Sequence, residues 1–379
     1  MNFDFTEEQL MIRQAARDFA KKLEADVIER DTNGIYPSHH IREMSELGFM
    51  GMLVDPKYGG GGMDNISYVL ALEEIAKMDA ATAVIMAVHN SLPCYGIETY
   101  GTQEQKDKFL PSLVSGEKIG AFLLSEPEAG SDASRQKTLA EDKGDYYLVN
   151  GTKNWITSAS TGSIYILFAQ TNPEKGHEGI NALIVEKDTP GISIGPHEDK
   201  MGLRSSDTHS VMFTDVKVPK ENRIGADGFG FKFAMKLLEG GRIGIAAQAL
   251  GIAVGAYERS LQYSKERKAF GKVISLHQAI AFKLADMAVK IENARNLVLK
   301  AAWLKDNKKP YGLASAMAKQ YAADIAMEVT TEAVQIHGGY GYVKEYHVER
   351  LMREAKITQI YEGTSEVQKI VISRSILRD

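Results

Sequence analysis

The spacing of apolar and polar positions changes character twice along the chain. Up to about residue 120 the apolar positions recur at helical intervals. Met11, Ala15, Phe19 and Leu23 stand four apart, and Leu70 and Ala76, on either side of Glu73 and Glu74, lead into an apolar run over residues 80–88. Thr6 followed three positions later by Gln9 predicts a capping box at the first helix, and residues 102–105 start a short one. Residues 58–62 (Tyr-Gly-Gly-Gly-Gly) form a loop, because so many glycines would lose too much backbone entropy in a helix.

From about residue 121 short β-rich runs take over, at 146–149, 164–168, 182–185 and 211–213. Turn signals separate them: Lys143-Gly144-Asp145, Asn150-Gly151, Lys175-Gly176 and Thr189-Pro190-Gly191. Strands this short with no helix between them predict an antiparallel barrel or sandwich, not βαβ units. After Pro219 and the loop at 225–228 the pattern is helical to the end. Ile280, Leu284, Met287, Ile291, Ala294, Val298 and Ala301 form one continuous seam. Phe282, Ala285, Val289 and Leu297 lie on its other faces, so this helix is expected to be buried on more than one side. Residues 244–255 are rich in Gly and Ala and suit close helix approach. The fold class is α+β multidomain: a helical domain (1–120), a central antiparallel β-barrel or sandwich (121–225) and a helical bundle (226–379).

Composition narrows the function more than the fold. A length of 379 residues exceeds one ordinary core. A net charge of −5 argues against a dedicated nucleic-acid binder, which must neutralise several phosphates at once. The single cysteine, Cys94, excludes an intrachain disulfide and a thiolate metal cluster. Residues 1–10 mix acids and polar groups and show no signal-peptide pattern, so a reducing, cytoplasmic setting is expected. The longest stretch free of charge, 80–97, contains His89, Asn90, Ser91 and Pro93 and reads as a buried helix with its exit, not a membrane span. There is no P-loop, no H-E-x-x-H, no G-x-S-x-G and no glycine fingerprint leading from strand to helix. The nine histidines show no metal-ligand spacing, and His39-His40 reads as a solvated pair.

Four local patterns remain. Residues 124–132 (Leu-Ser-Glu-Pro-Glu-Ala-Gly-Ser-Asp) are either a plain polar loop or a set of amides and hydroxyls gripping a heterocycle. Asn154-Trp155-Ile156-Thr157 places an indole either in a core or against a flat ring. Residues 267–278 carry Arg267, Phe270 and Gln278, suited to a pyrophosphate and an adenine. The competing readings are a solvated charge run at 265–268 and a capping box of Ser275 with Gln278. Residues 359–365 (Gln-Ile-Tyr-Glu-Gly-Thr-Ser) hold Glu362 just before a last helix capped by Ser365 and Gln368, where a carboxylate also suits the helix dipole.

With the runs at 200–204, 240–251 and 335–341, these patterns in this order resemble the acyl-CoA dehydrogenase family from end to end, most closely its short-chain, butyryl-CoA type. The resemblance implies a helical domain, a β domain and a C-terminal four-helix bundle. It also implies FAD, with Phe122, Leu124, Ser125, Gly130, Ser131, Trp155, Ile156 and Thr157 lining the flavin and Thr157 near N5. Arg267, Phe270, Gln278, Gln335, Ile336, Gly338 and Gly339 are then contacts to pyrophosphate and adenine, and Thr364 and Glu366 also touch FAD. Ser131, Glu239, Arg242, Tyr361 and Gly363 hold the CoA thioester. Glu362 is the base that takes the α-proton while the β-hydrogen leaves as hydride to flavin N5, the thioester oxygen being held by a ribityl hydroxyl and the Glu362 amide.

Some relatives carry the base just before the Arg of the Gly-Gly-Arg run. Here that position is Gly241, which supports Glu362. Glu239 departs from the more usual Asp by one methylene. The implied assembly is a homotetramer in which part of each FAD site crosses a subunit interface, and the implied electron acceptor is an electron-transfer flavoprotein. Two alternatives stand beside this: an acyl-CoA oxidase using O2, and a flavin-bearing nucleic-acid binder, which net charge and Glu362 oppose.

Overall fold

The computed structural model describes residues 4–377, so positions 1–3 of the N-terminal stretch lie outside the described residues. The first part is helical: α1 (Glu7–Leu23), α2 (Val27–Asn33), α3 (Ser38–Glu46), α4 (Asn65–Ala76), α5 (Ala80–His89), α6 (Tyr95–Tyr100) and α7 (Gln103–Val114). The capping box at α1 is present. The Gln9 amide donates to Thr6 Oγ1 at 3.2 Å, and the Thr6 amide to Gln9 Oε1 at 3.0 Å. Every residue of α5 is buried, and it runs into a π-helical turn, Asn90–Cys94, that contains Pro93. The charge-free stretch is therefore a core helix and its exit. His39 is exposed as expected, but His40 is buried with Nε2 3.0 Å from Asp26 Oδ2, so the two histidines are not a solvated pair.

The middle part contains β1 (Gly120–Leu123), β2 (Leu139–Asp142), β3 (Tyr146–Thr157), β4 (Ile164–Gln170), β5 (Ile180–Glu186), β6 (Ile192–Ile194), β7 (Thr208–Pro219) and β8 (Arg223–Ile224). Their order is β6-β7-β3-β2-β4-β5-β8, with β1 beside β4. Of the expected antiparallel barrel or sandwich, the sandwich is what forms, and one feature differs. The sheet is mixed, because β1 and β2 both pair with β4 in parallel. It is open and sandwich-like, ending at β6 and β8. The parallel pairs arise because β1 arrives from the helical domain and not from a hairpin. Alternation along β4 explains why all of it is buried. Tyr165, Leu167 and Ala169 enter a core inside the β domain, while Ile164, Ile166 and Phe168 join the core shared with the helices.

The last part holds α8 (Gly230–Glu266), the short strands β9 (Lys268–Ala269) and β10 (Lys272–Val273), then α9 (Gln278–Asp306), α10 (Gly312–His337), α11 (Val348–Thr358) and α12 (Ser365–Ile376). The helix α8 is long and apolar enough to cross a membrane, yet 89% of its apolar window is buried inside the fold. Its glycines let α4 approach closely: a Cβ on Gly251 would lie 2.5 Å from the Glu73 carbonyl oxygen. The α9 seam is buried as its spacing predicts, with Ile280 partly covered. Of the residues on the other faces of α9, Leu297 is partly covered, but Phe282 is 59% and Val289 62% exposed, and Ala285 is exposed too. The N-cap of α9 is His277 with no side-chain bond, which removes the expected Ser275–Gln278 box.

Gly251→Ala should lower unfolding stability by about 1–3 kcal/mol, because the clash is with backbone that has no room to yield. Urea denaturation checks this, and unchanged stability would show that α8 and α4 are packed less closely than described.

Candidate active site

The turn between α11 and α12 is built from backbone that resists its own conformation. Glu362 and Gly363 have φ of 50° and 90°, both left-handed, and for a non-glycine residue this costs of order 1–3 kcal/mol. Two side chains hold the turn. The Gln368 side-chain amide donates to the carbonyls of Glu362 (3.2 Å) and Gly363 (2.9 Å), and Lys319 Nζ of α10 donates to the Gly363 carbonyl at 2.6 Å. The cap of α12 is Thr364, whose hydroxyl accepts from the Val367 amide at 3.2 Å. Ser365 and Gln368 are therefore not the cap: the Ser365 hydroxyl donates to Asp324 Oδ1 at 3.0 Å and Gln368 points back at the turn.

Glu362 does not cap the helix either. Both its carboxylate oxygens are shielded from solvent and have no hydrogen-bond partner, although other atoms of the residue are partly exposed. The carboxylate lies directly over α8, where a Cβ on Gly241 would sit 2.3 Å from Glu362 Oε2 and 3.3 Å from Leu92 Cδ2. Leu92 reaches this spot from the π-helical turn, a feature common at functional sites. Burial raises the Glu362 carboxyl to about 7, against the opposing pull of Lys319 and Arg242.

Arg242 is itself buried, with Nε unpartnered among the described residues. Burial lowers its pKa, while Glu239, Glu362 and Tyr311 act to raise it. Glu239 lies against the start of α10, its Oε1 3.3 Å from where a Gly312 Cβ would be. The Tyr361 hydroxyl donates to Gln248 Oε1, and Gln248 Nε2 donates to the Ala80 carbonyl at 2.7 Å. Glu362, Tyr361, Gly363, Arg242 and Glu239 thus converge on one stretch of α8.

A second group gathers where β1 meets the bulged part of β3. Phe122 faces the helical core and packs its ring 4.8 Å from that of Phe168, with Leu124 buried beside it. The Asn154 amide donates to the Ser125 carbonyl at 2.9 Å, tying the loop to β3. A register shift between Lys153 and Ile156 turns Trp155 outward at φ 61° and 60% exposure, which excludes a core indole. The Ile156 side chain is buried in the β core, leaving only its backbone for contact.

Beneath the loop lies an ion pair absent from the sequence reading. Lys153 Nζ, with no exposure, donates to Glu126 Oε1 (2.8 Å), Gln136 Oε1 (2.9 Å) and the Leu124 carbonyl (3.1 Å). Glu126 also accepts from the amides of Lys137 and Thr138. The loop is anchored, not merely polar. The hydroxyls of Ser125, Ser131 and Thr157 find no partner among the described residues, and a Cβ on Gly130 would meet open space.

The third group is remote from both. Arg267 ends α8 and stacks over Tyr340 at 5.1 Å, Tyr263 stacks on His337 at 4.3 Å, and Phe270 is 96% exposed. Phe270 and Gly271, at φ 51° and 81°, make the two-residue turn between β9 and β10. Gln278 and Gln335 are exposed, Gly338 and Gly339 face open space, and the Ile336 side chain is buried. Along a helix rising 1.5 Å per residue, Arg267 is roughly 39 Å from Gly241. One extended dinucleotide does not span that distance. The charge run at 265–268 is solvated within this chain.

Comparison with known proteins decides the lineage. Three family models match in sequence: "Acyl-CoA dehydrogenase, N-terminal domain" over 6–117, the middle domain over 121–216 and the C-terminal domain over 228–377. The chain belongs to the acyl-CoA dehydrogenase family. A short-chain specific acyl-CoA dehydrogenase from Clostridium acetobutylicum is 50% identical over 379 residues, all of both chains. The solved butyryl-CoA dehydrogenase of Megasphaera elsdenii superposes with a TM-score of 0.98 at 51% identity, covering 100% of each. A chain from the solved work on the electron transferring flavoprotein of Acidaminococcus fermentans gives a TM-score of 0.99 at 52% identity, again over 100% of each.

As an acyl-CoA dehydrogenase the protein is an FAD-dependent oxidoreductase acting on CH–CH bonds. The residues present fit that cofactor. Free hydroxyls at 125, 131 and 157, an outward indole face and an unpartnered buried carboxylate suit a flat ring with polar edges. Sequence reasoning missed Lys319, Lys153 and Gln248, because single polar residues inside helical or strand patterns carry no local signal, and it read Gln368 as a cap, not as a support for the turn.

A buried carboxyl raised from 4.5 to about 7 also affects stability. Its folded pKa lies above its unfolded one, so the carboxyl costs nothing below pH 4.5, and up to about 3 kcal/mol is lost as pH rises through 7. Glu362→Gln should therefore raise the melting temperature of flavin-free protein at pH 8 and leave it unchanged at pH 4. Equal melting curves at both pH values would show a solvated carboxylate.

Proposed function

We propose that the protein dehydrogenates short-chain acyl-CoA thioesters between Cα and Cβ, with Glu362 as base, giving trans-2-enoyl-CoA, and passes electrons to an electron-transfer flavoprotein. The observation that carries this is the Glu362 carboxylate: buried, unpartnered, held near neutrality and set against a glycine of α8. A general base works best when its pKa is close to the working pH, and water-free surroundings keep it from being quenched by hydration. The similarity to the short-chain and butyryl-CoA enzymes supports the substrate class, and the Acidaminococcus fermentans structure supports the acceptor.

The residues divide the work. Glu362 takes the α-proton, and its backbone amide, which has no acceptor within the described chain, is available to the thioester oxygen. Arg242 and Glu239 orient the CoA moiety, with Ser131, Tyr361 and Gly363 at the passage to it. Phe122, Leu124, Ser125, Gly130, Ser131, Trp155, Ile156, Thr157, Thr364 and Glu366 hold the flavin half of FAD. FAD, when bound, supplies the two-electron acceptor for the β-hydrogen.

Arg267, Phe270, Gln278, Gln335, Ile336, Gly338 and Gly339 hold the adenine and pyrophosphate of FAD belonging to another copy of the chain. This is favoured by their separation from Glu362 and by the exposed apolar face of α9. A homotetramer follows as the proposed assembly.

Glu362→Gln should retain yellow flavin and bind acyl-CoA but lose anaerobic bleaching of the flavin by substrate, with turnover down at least a thousand-fold. Substantial residual bleaching would refute the base. Titration with acyl-CoAs of increasing length, straight and branched, should show the fastest bleaching with butyryl-CoA, and peroxide formation in air at a comparable rate would point to an oxidase. Arg242→Ala should raise KM for the CoA ester and lower kcat while flavin content stays intact; loss of flavin would place Arg242 in the cofactor site.

A further inference from the structure

We propose that Lys319 is a positioning residue for the base, anchoring the Glu362–Gly363 turn through the Gly363 carbonyl and setting a cation behind the Glu362 carboxylate. The inference rests on the reading of Glu362 as the base.

Lys319 has no exposure and sits in the middle of α10 among alanines, where an apolar residue would pack at lower cost. Its one hydrogen bond, 2.6 Å to the Gly363 carbonyl, reaches a residue next to the base. Gln368 of α12 binds the same carbonyl at 2.9 Å, so the turn is gripped by two donors, of which only Lys319 carries charge. A neutral donor would suffice to satisfy one carbonyl. A buried ammonium is explained by the carboxylate nearby, the leading charge acting on Lys319.

The other groups facing the pair are few. Arg242 of α8 acts on both, Asp324 of α10 and Glu366 of α12 act on Lys319, and the hydroxyls of Tyr68 and Tyr361 lie near Glu362. Burial holds the Lys319 ammonium down to about 8, above the Glu362 value of about 7. While both groups are charged, the cation favours the deprotonated, competent base.

The test is the pH dependence of kcat/KM in the flavin-loaded enzyme. Lys319→Gln keeps an N–H donor but removes the charge, and should move the acid limb to higher pH by about one unit. That lowers kcat/KM about ten-fold on the acid side, and the difference should vanish on the alkaline side, where the base is ionised with or without the cation. Lys319→Arg should restore the wild-type limb. Gln368→Leu, which removes the uncharged donor, should lower kcat without moving the limb.

An unmoved limb in Lys319→Gln, with flavin content and melting temperature intact, overturns the proposal. If Lys319→Gln does not fold, thermodynamic reciprocity provides the second measurement. Glu362→Gln must then lower the titration of the Lys319 ammonium, followed by NMR of side-chain 13C-labelled lysines, and no displacement overturns the proposal. Turnover surviving in Glu362→Gln sinks the base itself. An inactive Glu362→Gln beside an unmoved limb in Lys319→Gln sinks only the role of Lys319.

Discussion

A carboxylate held away from water without a hydrogen bond is among the least stable arrangements a fold can keep, and the structure around Glu362 is organised to keep one. Its oxygen fills the space a side chain at 241 would need, so the absence of a Cβ on α8 is a condition for the carboxylate being there. A base on α8 and a base on the α11–α12 turn would compete for the same volume. In this chain position 241 is glycine and the carboxylate comes from the turn.

That condition explains the composition of α8. The helix passes the site with Gly240 and Gly241, then passes α4 with Gly251, where a Cβ would strike the Glu73 carbonyl at 2.5 Å, and Gly255, where one would strike that of Lys77 at 2.4 Å. One helix serves both as the floor of the site and as the contact between the N-terminal helices and the bundle. Gly in a helix interior costs roughly 1 kcal/mol relative to Ala. The close approach and the site geometry are what offset it.

The fold was legible in the sequence wherever periodicity speaks locally. The α9 seam, the Thr6–Gln9 box and the turn signals between strands all follow from spacing alone. Sheet order and the parallel pairs were not, since they depend on where β1 enters from the helical domain. At the site the short motifs marked the residues but left their roles open, and the fold decides between the readings: Trp155 turns outward and Glu362 is not a cap. Lys319 and Lys153 were hidden, because a lysine in a helix or strand normally points to water, and only the tertiary fold brings Lys319 to a carbonyl and Lys153 to a carboxylate. The second face of α9 was misjudged for a related reason: periodicity shows that a surface is apolar, not which chain covers it.

The distribution of charge in the site carries one more consequence. Around the ionised Glu362 stand two buried cations, Lys319 and Arg242, neither with a carboxylate in salt-bridge contact among the described residues. When the carboxylate takes a proton it becomes neutral, and both cations lose the anion they acted on. In the proposed reaction negative charge develops there at that moment, as the α-carbon gives up its proton and the carbonyl oxygen takes on enolate character. Groups fixed before the reaction need no reorganisation to meet that charge, and in surroundings without water they act at full strength. The same two cations that lower the proton affinity of the Glu362 carboxylate would, in the proposed reaction, also act on the charge that forms as it takes the proton.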